Sequence, residues 1–235
     1  MTQFTERHHA FIAAKFYKYL KDRHGDIGLQ VFVMATRRYG EQRGCRMAQR
    51  ALRDGKELSF TTYREYGEWA NTQPSIEEGI ANKSEILSTY PDYVMRISCC
   101  PWATQFDEME LSECGVLYCR HVDESLARGF NPDLKYEVLC SINDHDCCLH
   151  IMRGAGMLPP PGPKSPANLR DFGYHCGHLF KTFCETTCAV LGDTELSDLV
   201  LRAFEETYGD ELAEELAGRL DEDYNLIDEA KGGVR

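Results

Sequence analysis

The sequence predicts an α+β fold, a small antiparallel sheet with a cysteine-rich hairpin, surrounded by N- and C-terminal helices. Three observations carry this expectation. Apolar residues recur at helical spacing over roughly the first 55 residues and again beyond residue 168. Between them, "YVMRISCC" changes to a run that reads as a strand. Finally, "KYEVLCSINDHDCCLHIMRG" places two short runs around the polar turn "NDHD", the pattern of a hairpin. A chain of 235 residues with 43% hydrophobic content can bury one sizeable core or two small ones. We read it as a single domain, 1–235, with an N-terminal helical part (1–90), a sheet-containing core (91–153) and C-terminal helices (167–235).

Each element has its own justification. Phe11, Ile12, Phe16, Tyr19 and Leu20 mark a first helix over 7–23. A second covers about 25–39, with Asp26 as N-cap. A third follows Gly40 and ends at Gly55, a C′ glycine. Residues 59–71 place Tyr63, Tyr66 and Trp69 three apart and predict another helix. Val94–Ser98 reads as a strand, and 111–128 as a helix closed by Gly129 and the Asn131-Pro132 turn. Strands near 135–142 and 147–152 form the hairpin. "GAGMLPPPGPKSP", 154–166, is linker-like because Gly and Pro forbid regular structure there. One long amphipathic helix over 168–191 and two more over 194–230 complete the chain. Residues 27–55 also align without gaps on 196–224, pairing Tyr39-Gly40 with Tyr208-Gly209, and suggest a repeated helix–turn–helix.

Charge and composition narrow the function. With 38 acidic and 26 basic residues the formal net charge is −12, which argues against nucleic acid and anionic membranes as partners. No run of about 18 apolar residues is present to span a bilayer. "MTQFTERHHAFIAAKFYKYL" lacks the apolar core and cleavage site of a signal peptide, so a cytoplasmic location is expected. Eleven cysteines, an odd number, without an export signal argue against a disulfide scaffold; packing, metal ligation and catalysis remain.

Four constellations are candidates for chemistry. Cys119 and Asp123 lie four apart, on one face of the predicted helix. A carboxylate beside a thiol disfavours the thiolate, so this pair alone makes a poor nucleophile. Asp123 makes better sense orienting a base or holding a cationic, amidine-like substrate. Asp171, His175 and His178 fall at i, i+4 and i+7 and can build a general base with an orienting carboxylate; the alternative is a histidine pair satisfied by backbone or water. Arg43, Arg46, Arg50 and Arg53 share a helix face, where one inward-facing guanidinium suffices to hold a carboxylate. Seven cysteines cluster between 99 and 148, but none shows the Cys-x-x-Cys spacing of a structural zinc site.

The stretch "YCRHVDESLARGFNPDL", with Tyr118, Cys119, Asp123, Gly129, Phe130, Asn131 and Pro132, follows "CCPW" and precedes "CSINDHDCCLHI". Together with "RRYGEQRGCRMAQRA" and "YHCGHLF", it resembles the L-2-amino-thiazoline-4-carboxylic acid hydrolase family. The hairpin also resembles the end of the 4-vinyl-reductase-like small-molecule-binding domain, with Asn143 and Leu149 where that pattern has Gly and Phe. The first resemblance implies hydrolysis at a cyclic C=N carbon, opening a thiazoline ring to an N-carbamoyl cysteine. On that reading Asp123, His175, His178 and Cys119 are the catalytic candidates, and Asn131, Trp102, Tyr118 and Arg46 contact the substrate. No cofactor is expected. The alternative is zinc, held by Cys114, Cys119, Cys147 and His175. A small-molecule substrate is the expected partner, and a homo-oligomer stays open. A non-enzymatic binding module and a lyase or isomerase using the same pocket are the rival readings.

Overall fold

Residues 40–44, "GEQRG", sit in the middle of a helix rather than at a turn. The computed structural model describes residues 3–157 and 161–227, and its first helix, α1, runs Glu6–Arg53 with one interruption, Gly25 at φ 56° and ψ −134°. The break near residue 24 is therefore where the sequence placed it, while the second and third predicted helices are continuous. Gly40 and Gly44 lie four apart and face another helix, α5 (Ser112–Phe130). A Cβ on Gly44 would stand 2.0 Å from the Leu126 carbonyl oxygen, and one on Gly40 would stand 2.8 Å from that of Val122. Gly129 reciprocates from α5, where a Cβ would meet the Glu41 carbonyl oxygen at 2.3 Å. These glycines permit a backbone-to-backbone crossing, so neither Gly40 nor Gly129 ends a helix. α5 ends instead at Asn131, whose side chain accepts from the Asp133 N–H at 3.0 Å and donates to the Leu58 carbonyl at 2.8 Å.

Two short helices follow α1, α2 (Phe60–Glu65) and α3 (Gln73–Glu77). The helix predicted over 59–71 thus stops at Glu65. Beyond it the backbone carbonyls are taken from outside: Arg170 N–H bonds the Glu68 oxygen at 2.8 Å and Lys164 Nζ bonds the Trp69 oxygen at 2.8 Å. The buried Glu6 carboxylate ties the next stretch to α1, accepting from the Thr72 N–H and the Ser75 hydroxyl.

The sheet contains four antiparallel strands, β1 (Lys83–Ser88), β2 (Tyr93–Cys99), β3 (Lys135–Cys140) and β4 (Cys148–Arg153), in the order β1-β2-β4-β3. β1 falls inside the part read from sequence as helical. It is an edge strand exposed along nearly its whole length, so it carries no alternating pattern to betray it. Across β2, β4 and β3, Tyr93, Met152 and Tyr136 stand in register, as do Met95, His150 and Val138. All six are buried on one face. α4 (Pro101–Glu108) links β2 to α5.

α6 (Phe172–Leu191) begins at Asp171, whose carboxylate accepts from the Tyr174 N–H at 2.8 Å, and ends at Gly192 in the left-handed region. α7 (Glu195–Tyr208) and α8 (Asp210–Gly218) meet at Gly209, φ 89°. Tyr208-Gly209 is therefore a turn while Tyr39-Gly40 is helix interior, and the sequence repeat has no structural counterpart. Of the linker-like stretch, 158–160 lie outside the described residues, as do 228–230 of the predicted C-terminal helices. No helix among the described residues is long and apolar enough to cross a membrane.

Two apolar cores result. One packs the N-terminal half of α1 with α4–α8, through Phe16, Phe32, Phe180, Phe183 and Phe204; the other packs the C-terminal half of α1 with the sheet, through Met47, Tyr93, Phe130 and Met152. α5 serves both, giving Tyr118 and Val122 to the first and Leu126 and Phe130 to the second. The α1–α5 crossing thus decides how the two cores meet. Gly44→Ala should destabilise the protein by about 2–3 kcal/mol or more, because backbone rather than a movable side chain blocks the added methyl. Chemical denaturation compared with the exposed Gly218→Ala, which meets nothing, checks this.

Candidate active site

A cavity of about 420 Å³ lies at the seam between the two cores. α5 supplies one wall through Tyr118, Cys119, Val122 and Asp123. The buried face of the sheet supplies Met95, Ile97, Cys148 and His150. α1 adds His9, Arg43 and Met47, while residues 63–71 add Tyr63, Arg64, Glu68 and Trp69. Cys100 and Trp102 close one end, and Lys164 reaches in from the segment before α6.

Asp123 is the central polar feature. Its side chain is 34% exposed, but the space it faces is this protein-walled cavity. Accordingly, burial raises its carboxyl above the usual range, with His150, Arg43 and Arg64 pulling the other way. His150 Nδ1 stands 4.0 Å from Asp123 Oδ2, beyond hydrogen-bond distance, and among the described residues no donor bonds the carboxylate. His150 is itself 4% exposed. Its Nδ1 pairs with the Tyr136 hydroxyl at 2.7 Å, and its Nε2 has no partner. Burial lowers its pKa, with Asp123 opposing, which favours the neutral ring.

The cations of the cavity fall into two groups. Glu68, fully buried, accepts from Arg46 (3.2 and 3.0 Å), Arg50 (2.6 Å) and Arg43 (3.4 Å). Burial works against this carboxylate, but Arg46, Arg43 and Arg50 outweigh it and hold it down to about 2. Arg64 and Lys164, by contrast, have no carboxylate partner among the described residues. Arg64 rests over the Tyr93 ring at 5.5 Å and Lys164 over Trp69 at 4.8 Å. Burial, with Arg64 and Arg43 nearby, brings the Lys164 ammonium down to about 8.

The thiols are not activated. Burial pushes Cys119 well above its ordinary value, and Cys100, Asp123 and Cys148 add to that. Cys100 caps α4 without a regular side-chain hydrogen bond; burial pushes it up to about 12 although the Ala103 and Trp102 N–H groups act against this. The hairpin turn reaches Cys119 through Asn143, whose Nδ2 lies 3.7 Å from the sulfur.

Of the residues singled out by sequence, Asp123, Cys119, Tyr118 and Trp102 line this cavity. His175, His178, Arg46 and Asn131 do not. His175 Nε2 donates to the Glu68 carbonyl at 3.2 Å, and burial together with Arg43 holds its pKa down to about 3. His178 bonds Gln42 Oε1 at 3.0 Å and stacks on Tyr224; burial and Arg46 keep it well below the ordinary histidine range. Arg46 spends its guanidinium on Glu68 and the Tyr224 carbonyl. Nor does the alternative zinc set come together, since Cys114 sits in the helical core, Cys147 at the hairpin and His175 on α6. Among the described residues no three His, Cys, Asp or Glu side chains are grouped to hold a metal. The cavity's histidines, His9 and His150, and its cations Arg64 and Lys164 were missed, while Arg43 was named on the arginine face but Arg46 was chosen from it. For His150 a signal existed: in "CLHIM" it alternates with Cys148 and Met152, which puts it on the inner face.

The family model described as L-2-amino-thiazoline-4-carboxylic acid hydrolase matches residues 4–150. The chain belongs to this family. The search of curated proteins and that of solved structures return no match. The part matched to the hydrolase family ends at His150 and contains every cavity residue named above except Lys164; His175 and His178 lie beyond it.

The Glu68 clamp can be tested by itself. Glu68→Gln leaves three buried guanidinium groups short of a counter-charge and should cost about 3–5 kcal/mol at pH 7. A carboxylate held at about 2 in the folded protein and about 4.3 when unfolded stabilises fully above the higher value and loses that contribution as pH falls through the lower. Denaturation of wild type and Glu68→Gln at pH 7 and pH 3 should show the gap narrowing at the lower pH.

Proposed function

We propose that this chain is a hydrolase that opens a small cyclic C–N substrate, of the thiazoline or amidine type, at its C=N carbon. The observation that carries this reading is Asp123, a carboxylate facing a cavity and, among the described residues, without a hydrogen bond, in the same cavity as two cations that have no carboxylate partner among those residues. Such a set complements a zwitterion carrying an amidinium and an acid. Family membership supports the same chemistry.

In this mechanism Asp123 pairs with the ring amidinium and orients C2. Arg64 and Lys164, with Arg43 behind them, hold the substrate carboxylate. A water adds to C2 and passes its proton to neutral His150 or to Asp123, which the surroundings make a stronger base than an ordinary carboxylate. The tetrahedral carbon then expels the ring sulfur, which takes a proton and leaves as a thiol, while C2 becomes the carbonyl of a ureido group. One water is consumed and no ammonia is released. Cys119 shapes the wall; its thiol form disfavours direct attack. His175 and His178 contribute through the packing around Glu68, and Asn131 through the end of α5.

Incubation with L-2-amino-thiazoline-4-carboxylic acid should yield a product heavier by one water and bearing a new thiol, read by mass spectrometry and thiol titration. Asp123→Asn should lower kcat/KM about 100-fold or more; wild-type turnover in that variant would rule the site out. Lys164→Met should raise KM and leave kcat largely intact. The pH profile of kcat/KM should be bell-shaped. Its acid limb lies above the ordinary carboxylate range, since protonating Asp123 removes the amidinium partner. Its alkaline limb falls near 8, where Lys164 loses its charge. Lys164→Arg should move that alkaline limb upward.

A further inference from the structure

The polar groups invoked above account for only part of the cavity. At about 420 Å³, and with liquid water occupying about 30 Å³ per molecule, the space is far larger than one five-membered ring with a single carboxylate. Binding sites normally enclose most of a ligand's surface, and a small ring here would leave the reacting carbon among many loosely held waters.

Asn71, Asn82 and Ser84 are polar members of the remaining lining, but its large side chains are aromatic and apolar. Trp69 and Trp102 meet edge-to-face, ring centroids 5.1 Å apart at 73°. Both are fixed before any ligand arrives. Trp102 Nε1 donates to His9 Nδ1 at 2.9 Å, and Lys164 Nζ covers one face of Trp69 at 4.8 Å while bonding its carbonyl. Tyr118 continues this wall from α5, and Met95 and Ile97 face it from the sheet. These two tryptophans are all the chain contains.

We infer that the substrate is a cyclic amidine acid whose ring carries an aryl or similarly flat apolar group, packed into the corner formed by Trp69, Trp102 and Tyr118. The inference rests on the hydrolase reading for the amidinium at Asp123 and extends it to the rest of the molecule. An aromatic ring moved from water into this corner gains both apolar burial and edge-to-face contacts. The single-ring acid of the family's name gains neither.

The test uses two simple amidinium ions, benzamidine and acetamidine, titrated calorimetrically into wild type, Asp123→Asn, Trp102→Ala and Trp102→Phe, with circular dichroism confirming the fold of each. Trp69→Leu serves as an independent variant if Trp102→Ala does not fold. Benzamidine should bind wild type about tenfold more tightly than acetamidine or better, and should shift the tryptophan emission. Trp102→Ala should reduce that ratio to about threefold or less, with Trp102→Phe restoring most of it. Asp123→Asn should weaken both ligands alike. Equal affinities in wild type, or a ratio unchanged by the tryptophan variants, overturn the aryl inference and leave the hydrolase reading standing. A benzamidine preference that survives while Asp123→Asn changes nothing overturns the amidine assignment instead. If neither ion binds at about 10 mM, above the weak millimolar end of the affinity scale, both fall.

Discussion

Glu68 is the interaction on which most of this structure depends. One buried carboxylate receives guanidinium groups from Arg43, Arg46 and Arg50, three successive positions on one face of α1. Its own carbonyl receives the Arg170 N–H and His175. One residue in an irregular segment thereby joins α1, the strap before α6, and α6 itself. An uncompensated carboxylate, or three uncompensated guanidinium groups, could not remain at that depth. The segment carrying Trp69 has no helix or strand of its own, and the clamp, with Lys164 on the Trp69 carbonyl and Glu6 on Thr72, holds it against the cavity.

The second constraint is geometric. Glycines on both helices let α1 and α5 touch backbone to backbone, so the residues just beyond the contact converge. Arg43 and Met47 from α1 and Val122 and Asp123 from α5 reach the same cavity for this reason. A wider helix spacing would separate Asp123 from the arginine face and open the seam between the two cores. The crossing is thus as much a part of the proposed site as any side chain in it.

How much of this was legible in the sequence follows from what kind of signal each feature leaves. Helical periodicity, the strand read over 94–98, the hairpin and the Asp123 face were all readable, because periodicity and turn chemistry are local. Gly40 was misread, since a glycine that permits close approach looks the same in sequence as one that ends a helix. The Asp171–His175–His178 line does occupy α6, but periodicity does not say what lies opposite. Opposite lie arginines already committed to Glu68, so the histidines are kept neutral in a packed interior. The arginine face was recognised, while the member chosen from it, Arg46, is the one most completely spent on Glu68; Arg43, one turn earlier, is the one at the cavity wall. Lys164 sits among prolines and glycines and leaves no pattern at all.

In the proposed mechanism the electrostatics of the cavity favour water over a thiol as the attacking group. Three guanidinium groups against one carboxylate leave the wall behind Glu68 net positive, and Arg64 and Lys164 add to it. Inside such a field a thiolate would ordinarily be favoured, yet Cys119 and Cys100 are both pushed the other way by burial. Asp123 contributes to that push, as a negative charge among the sulfurs. The same charge cannot both suppress the thiolates and leave a cysteine as nucleophile. It can, however, attract an amidinium and, beside a neutral His150, accept a proton from water. An acidic group on the proposed substrate would find its counter-charge at Arg64 and Lys164. In the proposed mechanism the division of labour among these groups follows from where each charge is compensated and where it is not.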